Sequence, residues 1–181
     1  LIIVTCIPTA IIGLALSSLI EDASKSLFVP GVCLLITAII LLLSERAPAG
    51  DKKVRKTSYR DALLIGAAQG FATFPGISRS GITITAGLML GLERSFAVKY
   101  SLLASLPAIL GANLLELRHL GSASASTGAG AYVVGFIASA AVGYIFIKLV
   151  INIVKSNKFK YFAYYCAACG IICLIAYFVR G

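Results

Sequence analysis

The chain has 181 residues, of which 59% are hydrophobic and 13% charged, with a mean hydropathy of +0.97 and a formal net charge of +9. Soluble domains carry about 25% charged residues, and a water-soluble fold of this length could not hide so much apolar surface in one core; a soluble globular domain is excluded, and lipid is the solvent for most of the chain. The basic excess does not imply nucleic acid, because no basic stretch is interleaved with stacking aromatics.

The chain opens at Leu1 directly into apolar sequence, without the basic leader or small-residue cleavage site of a signal peptide. It reads as a fragment of something longer. A membrane span needs about 20 apolar residues. Residues 1–20 satisfy this, with Pro8 and Gly13 as candidate kink positions, and so do residues 27–43, with Pro30 near the start where its missing N–H does no harm. Residues 62–74 and 81–92 are also apolar, but as helices each would rise only about 18–20 Å against the roughly 30 Å of a bilayer core. Between them lies Pro75-Gly76-Ile77-Ser78-Arg79-Ser80-Gly81, a helix-breaking stretch. Region 62–92 is therefore expected to be a re-entrant hairpin with a polar tip, tolerated only where protein or water covers it. Spans follow at 100–115, 132–151 and 161–179, with Tyr100, Tyr132, Tyr161 and Tyr177 near their ends at headgroup level. The small-residue run Gly121–Gly130 is expected to be an outer loop.

Charge supports the hairpin. If 62–92 re-enters without crossing, twelve basic residues fall on one side: Arg46, Lys52, Lys53, Arg55, Lys56, Arg60, Arg94, Lys99, Lys148, Lys155, Lys158 and Lys160. Lys25, Arg118 and Arg180 fall on the other. A single crossing would move the last four of the twelve, so the positive-inside rule favours re-entry and a cytoplasmic basic side. The expected class is an all-α, polytopic membrane bundle in a single domain.

Arg79 would lie at membrane depth, where an arginine costs at least about 2.5–3.5 kcal/mol. Ser78, Ser80, Thr83 and Thr85 surround it with hydroxyls, and a second half-helix starting near Gly81 would present free N–H groups and a positive dipole end. Guanidinium, amides and hydroxyls together suit phosphate; the alternative is an arginine that snorkels or pairs with a nearby carboxylate. Gln69 could serve the same tip or bond a neighbouring helix. Glu116 and His119 read as solvated residues at a span end, and no second histidine supports a metal site. The five cysteines, Cys6, Cys33, Cys166, Cys169 and Cys173, read as small apolar packing residues rather than a zinc site or disulfide framework.

From the PGxSRSG motif at 75–81, the sequence resembles the undecaprenyl-diphosphate phosphatases, the bacitracin-resistance family. Ser58-Tyr59-Arg60-Asp61-Ala62, Gly66-Ala67-Ala68-Gln69-Gly70, Gly81-Ile82-Thr83-Ile84-Thr85-Ala86-Gly87 and Ile7-Pro8-Thr9-Ala10-Ile11-Ile12-Gly13 extend the likeness over essentially the whole chain. The resemblance implies the second part of an inverted-repeat fold with two re-entrant hairpins, in a multi-pass protein of the bacterial cytoplasmic membrane. It implies hydrolysis of undecaprenyl diphosphate to the monophosphate carrier of cell-wall synthesis, dependent on a divalent metal such as Mg or Ca. Arg79 would clamp the phosphates, Ser78, Ser80 and Thr83 would assist, and Gly76, Gly81 and Gln69 would line the substrate site. The expected partners are the prenyl diphosphate and membrane lipid, with a homodimer as a further expectation. The family's acidic hairpin, an E-x-x-x-E pair followed by a PVSSTGH-type tip, has no counterpart here, so the metal ligands are expected in a missing part and the fragment is expected to be inactive. The competing reading is a transporter or flippase of anionic prenyl lipids, built on broken helices; a structural membrane subunit would leave the cost of Arg79 unexplained.

Overall fold

A computed structural model describes residues 1–48, 50–116, 129–156 and 158–180, and these residues contain helices and no strands. In chain order the helices are α1 (Ile2–Ala15), α2 (Ser17–Ser24), α3 (Phe28–Glu45), α4 (Tyr59–Phe71), α5 (Arg79–Met89), α6 (Arg94–Glu116), α7 (Ala129–Lys155) and α8 (Phe159–Arg180), with a 3₁₀ turn at Val54–Lys56. α3, α6, α7 and α8 are each long and apolar enough to cross a membrane, and α1 with α2 would make a fifth, bent span. The chain is an all-α, multi-pass membrane bundle.

The first expected span is broken. Pro8 sits inside an unbroken α1, and the 62° bend falls at Leu16 instead. Ser17 donates its hydroxyl back to the Leu14 carbonyl at 3.0 Å, a local bond that competes with the helix ladder, and α2 then carries Glu21 and Asp22, which apolar surroundings would not accept. α6 begins at Arg94, six residues before the expected 100, so Tyr100 lies in its second turn. There it is buried and bonded to Thr5 at 2.6 Å rather than placed at a helix end. The 121–128 part of the expected outer loop, together with Arg118 and His119, lies outside the described residues.

α3 and α8 run antiparallel. Phe28 meets Tyr177 at 5.5 Å between ring centroids, and at the opposite end the Lys160 amide donates to Glu45 Oε1 at 2.7 Å. α1 and α4 run side by side so closely that a Cβ on Gly66 would stand 2.1 Å from the Thr5 carbonyl oxygen; only glycine permits this approach. Thr9 uses it, donating to the carbonyls of Thr5 and Gly66 at 2.9 Å each. The apolar core is formed by Leu41, Ile65, Ile84, Leu88, Leu92 and Val98, all almost wholly buried, with Val154, Phe159 and Ala163 closing it from α7 and α8. This core encloses the pair α4–α5, which is packed against α1, α3 and α6.

Candidate functional site

The hairpin is built by local rules at both ends. At its base, Ser58 caps α4: its hydroxyl accepts from the Asp61 amide, and the Asp61 carboxylate accepts from the Ser58 amide. This reciprocal pair satisfies two N–H groups left open by helix geometry. The chain leaves α5 beside the point where it entered. Lys52 donates its amide to Gly91, and Glu93 donates to Lys52, at 3.0 and 2.9 Å. Arg94 reaches back to the Ala47 carbonyl. With 13 and 11 residues, α4 and α5 rise about 19 and 16 Å.

Two ion pairs lie at the base. Lys52 bonds Asp61 at 3.3 Å, and Lys56 bonds Asp51. Burial pushes the Asp61 carboxyl up, but the Ser58 amide and hydroxyl and the Lys52 ammonium outweigh it and hold the group below its ordinary value. The Lys56 contact likewise lowers the exposed Asp51.

The tip follows other rules. Gly76 has φ +93°, a left-handed conformation that side chains resist. A Cβ there would also stand 2.4 Å from the Pro30 carbonyl oxygen. The tip is thus seated against the first turns of α3, at the end opposite Glu45. Ser78 is the N-cap of α5, its hydroxyl accepting from the Gly81 amide at 3.2 Å. The helix consequently starts at Arg79, two residues earlier than Gly81. The amides of Arg79 and Ser80 take no backbone acceptor among the described residues, as expected of a first helical turn. Arg79 is half-buried, and among the described residues no carboxylate lies within ion-pairing distance of it.

The sequence-predicted residues therefore divide. Gly76, Ser78, Arg79, Ser80 and Gly81 are together at the tip, with the Ser80 side chain exposed. Thr83 is buried one turn down, donating to the Arg79 and Ser80 carbonyls and meeting the Ser101 hydroxyl at 2.5 Å; it braces the first turn of α5 against α6. Thr85 bonds back to Gly81 at 2.7 Å. Gln69 is wholly buried in the seam of α1, α4 and α6, its amide donating to Thr9 and to the Ala104 carbonyl, both at 3.4 Å, while its Oε1 has no partner. It bonds neighbouring helices rather than the tip. Thr37 of α3 is a tip residue that sequence reading missed. Its buried hydroxyl donates to the Gly76 carbonyl at 3.0 Å and accepts from the Ser78 amide at 3.1 Å. The one signal was a threonine within an apolar span.

Beside the tip, Ser78, Ser80 and Gly81 form the polar edge of a cavity of about 100 Å³ whose other walls are Leu41, Ile84, Val150, Ile153, Phe159, Phe162 and Cys166. Arg79 is not part of this lining, but it lies in the chain between Ser78 and Ser80, so the first turn of α5 carries a cation next to a residue pair that edges an apolar slot. The donor set does not suit a metal: among the described residues no three His, Cys, Asp or Glu side chains come together to hold one. The five cysteines form no disulfide.

Residues 1–172 match the model of the family described as bacitracin resistance protein BacA. A relative named undecaprenyl-diphosphatase in Methanosphaera stadtmanae is 44% identical over 97% of this chain and 63% of its own length. One of the same name in Desulforapulum autotrophicum is 43% identical over 99% of this chain and 64% of its own. One in Methanothermobacter thermautotrophicus is 41% identical over 97% of this chain and 98% of its own. The chain thus spans somewhat under two thirds of the first two relatives and nearly all of the third.

Proposed function

This chain belongs to the bacitracin-resistance BacA family, and on that footing we propose that it acts in the hydrolysis of undecaprenyl diphosphate to undecaprenyl phosphate and inorganic phosphate, the step that returns the lipid carrier to cell-wall synthesis. The observation that carries the reading is Arg79: a half-buried cation, at the first turn of a helix, without a carboxylate partner among the described residues. Such a charge is costly unless something outside the fold neutralises it. Two oxygens of a terminal phosphate match the guanidinium fork, and the Arg79 and Ser80 amides add donors along the helix axis. The slot from Gly81 to Phe162 gives the hydrocarbon next to that phosphate an apolar wall. The names of the relatives supply the substrate class.

In the reaction, water displaces the lipid monophosphate at the terminal phosphorus, and negative charge builds on the oxygens around it. Arg79 and the two amides hold and neutralise those oxygens, which lowers the barrier when the donors are fixed in advance. A divalent metal, implied by family resemblance, does not fit the described residues. Among the described residues no carboxylate is placed to activate water at this tip, and what they contribute is substrate grip and charge stabilisation.

We place the hairpin as re-entrant in the cytoplasmic membrane, entering and leaving at the basic side. The meeting of Lys52 with Gly91 and Glu93 supports this, because a segment that ends where it began has not crossed. The test of function is phosphate release from undecaprenyl diphosphate in detergent micelles, with Arg79→Ala beside the native sequence. Release that Arg79→Ala abolishes is expected in a protein that joins this sequence to the family's acidic hairpin, and no release is expected from residues 1–181 alone. In proteoliposomes, movement of the lipid between leaflets without phosphate release would replace hydrolysis with transport.

A further inference from the structure

We propose that Thr37 is a positioning residue for the phosphate grip, a role that rests on the reading of Arg79 given above. The hydroxyl is buried and spans Ile77, accepting the Ser78 amide and donating to the Gly76 carbonyl. It thereby fixes the backbone on both sides of the residue that links the left-handed Gly76 to the cap of α5. Among the described residues no other hydrogen bond ties these two groups to α3. Ser78 in turn sets where α5 begins, because its own hydroxyl holds the Gly81 amide. The direction of the Arg79 and Ser80 amides, and the root of the Arg79 side chain, therefore depend on one hydroxyl on a different helix.

The dependence is geometric. Without the hydroxyl, the Ser78 amide and Gly76 carbonyl lose a partner in a place with little water, and the tip must turn to satisfy them. A displacement of about 1 Å in a group that holds a reacting phosphate costs on the order of a hundredfold in rate. The apolar slot is built on other residues and need not move.

The experiment measures the affinity of the purified full chain for farnesyl diphosphate and, separately, for farnesol, which has the hydrocarbon and no phosphate. Thr37→Val removes the hydroxyl at nearly constant volume, and Thr37→Ala removes it with a smaller side chain should the valine variant not fold. A tenfold or larger loss for farnesyl diphosphate is expected in both, with farnesol affinity unchanged and Thr37→Ser restoring native binding to within about threefold. Native affinity for farnesyl diphosphate in a folded Thr37→Val or Thr37→Ala chain overturns the proposal, as does an equal loss for farnesol, which would mean a general packing defect. Arg79→Ala separates the two levels. If it binds farnesyl diphosphate normally, the phosphate reading fails and this role with it; if it is impaired while Thr37→Val is not, only the role of Thr37 fails.

Discussion

The base and the tip of the α4–α5 hairpin are made of similar residue types arranged to opposite ends. At the base, lysines meet aspartates: Lys52 with Asp61, Lys56 with Asp51, and Asp61 is at the same time the cap of α4. At the tip, serine again caps a helix, but among the described residues no carboxylate lies beside the charge there, Arg79. The backbone there is constrained by Gly76 and Thr37 rather than by ion pairs. Internal pairing makes a charge structural; a built tip with an unmatched charge leaves it for a ligand. The distinction cannot be drawn from the count of charges, only from their partners.

The sharpest break of this comparison is all-or-none. With the five native cysteines replaced, single cysteines at Lys53 and Lys99 lie before and after the hairpin and are expected to react with an impermeant thiol reagent from the same side of the membrane. Labelling from opposite sides would mean that the segment crosses, and the base would cease to be one place.

Next in size is the tip charge. In the complete protein, Arg79→Ala is expected to lower kcat/KM for undecaprenyl diphosphate by about a thousandfold, the several kcal/mol of a lost electrostatic contact to a reacting centre. Arg79→Lys keeps the charge without the fork and should recover only part. Thermal stability should not fall with Arg79→Ala, because the side chain makes no ion pair among the described residues. A substitution that unfolds the chain while sparing turnover of the remaining protein would assign Arg79 to the structural class of Lys52.

Gly76→Ala tests the tip backbone. A left-handed conformation costs a side chain about 1–2 kcal/mol, and overlap with the Pro30 carbonyl adds to it. The expected result is a lower midpoint in thermal unfolding; an unchanged midpoint would show that the tip adapts and is not held against α3.

The smallest effect belongs to the base. The folded Asp61 carboxyl lies below its ordinary value, so its contribution to stability is complete above about pH 4 and declines as pH falls through the folded value. Asp61→Asn should flatten the acid limb of the melting temperature between about pH 2 and 5 and leave farnesyl diphosphate affinity within about twofold. An acid limb identical to the native one would remove Asp61 from the paired base.

Much of this arrangement is readable in the residues. Length and apolarity locate α3, α7 and α8 to within a few positions, and the shortness of 62–74 and 81–92 separates the hairpin limbs from spans. Orientation around a helix axis is not readable in the same way. Thr83 lies four positions from Arg79 in a hydroxyl-rich run, which suggests a shared site, but the face carrying Thr83 packs on Ser101 of α6. Gln69 is similar: its neighbours are Thr9 and Ala104, distant in sequence. Tyr100 looks like a headgroup residue until α6 is seen to start earlier. Thr37 is hidden for the same reason, since its partners are defined by the docking of the hairpin and not by any local pattern.

The double backbone bond between Lys52 and residues 91 and 93 also bears on how the chain folds. It closes a loop of about 40 residues, whose closure entropy is roughly 3 kcal/mol beyond a constant term. Limbs too short to span give the insertion machinery no reason to hold them in lipid on their own, so the hairpin is best placed after α3 and α6 have supplied walls on either side. On that account the contacts formed last in the membrane are those at the tip, and the grip on substrate is assembled only in a chain that is otherwise complete around it.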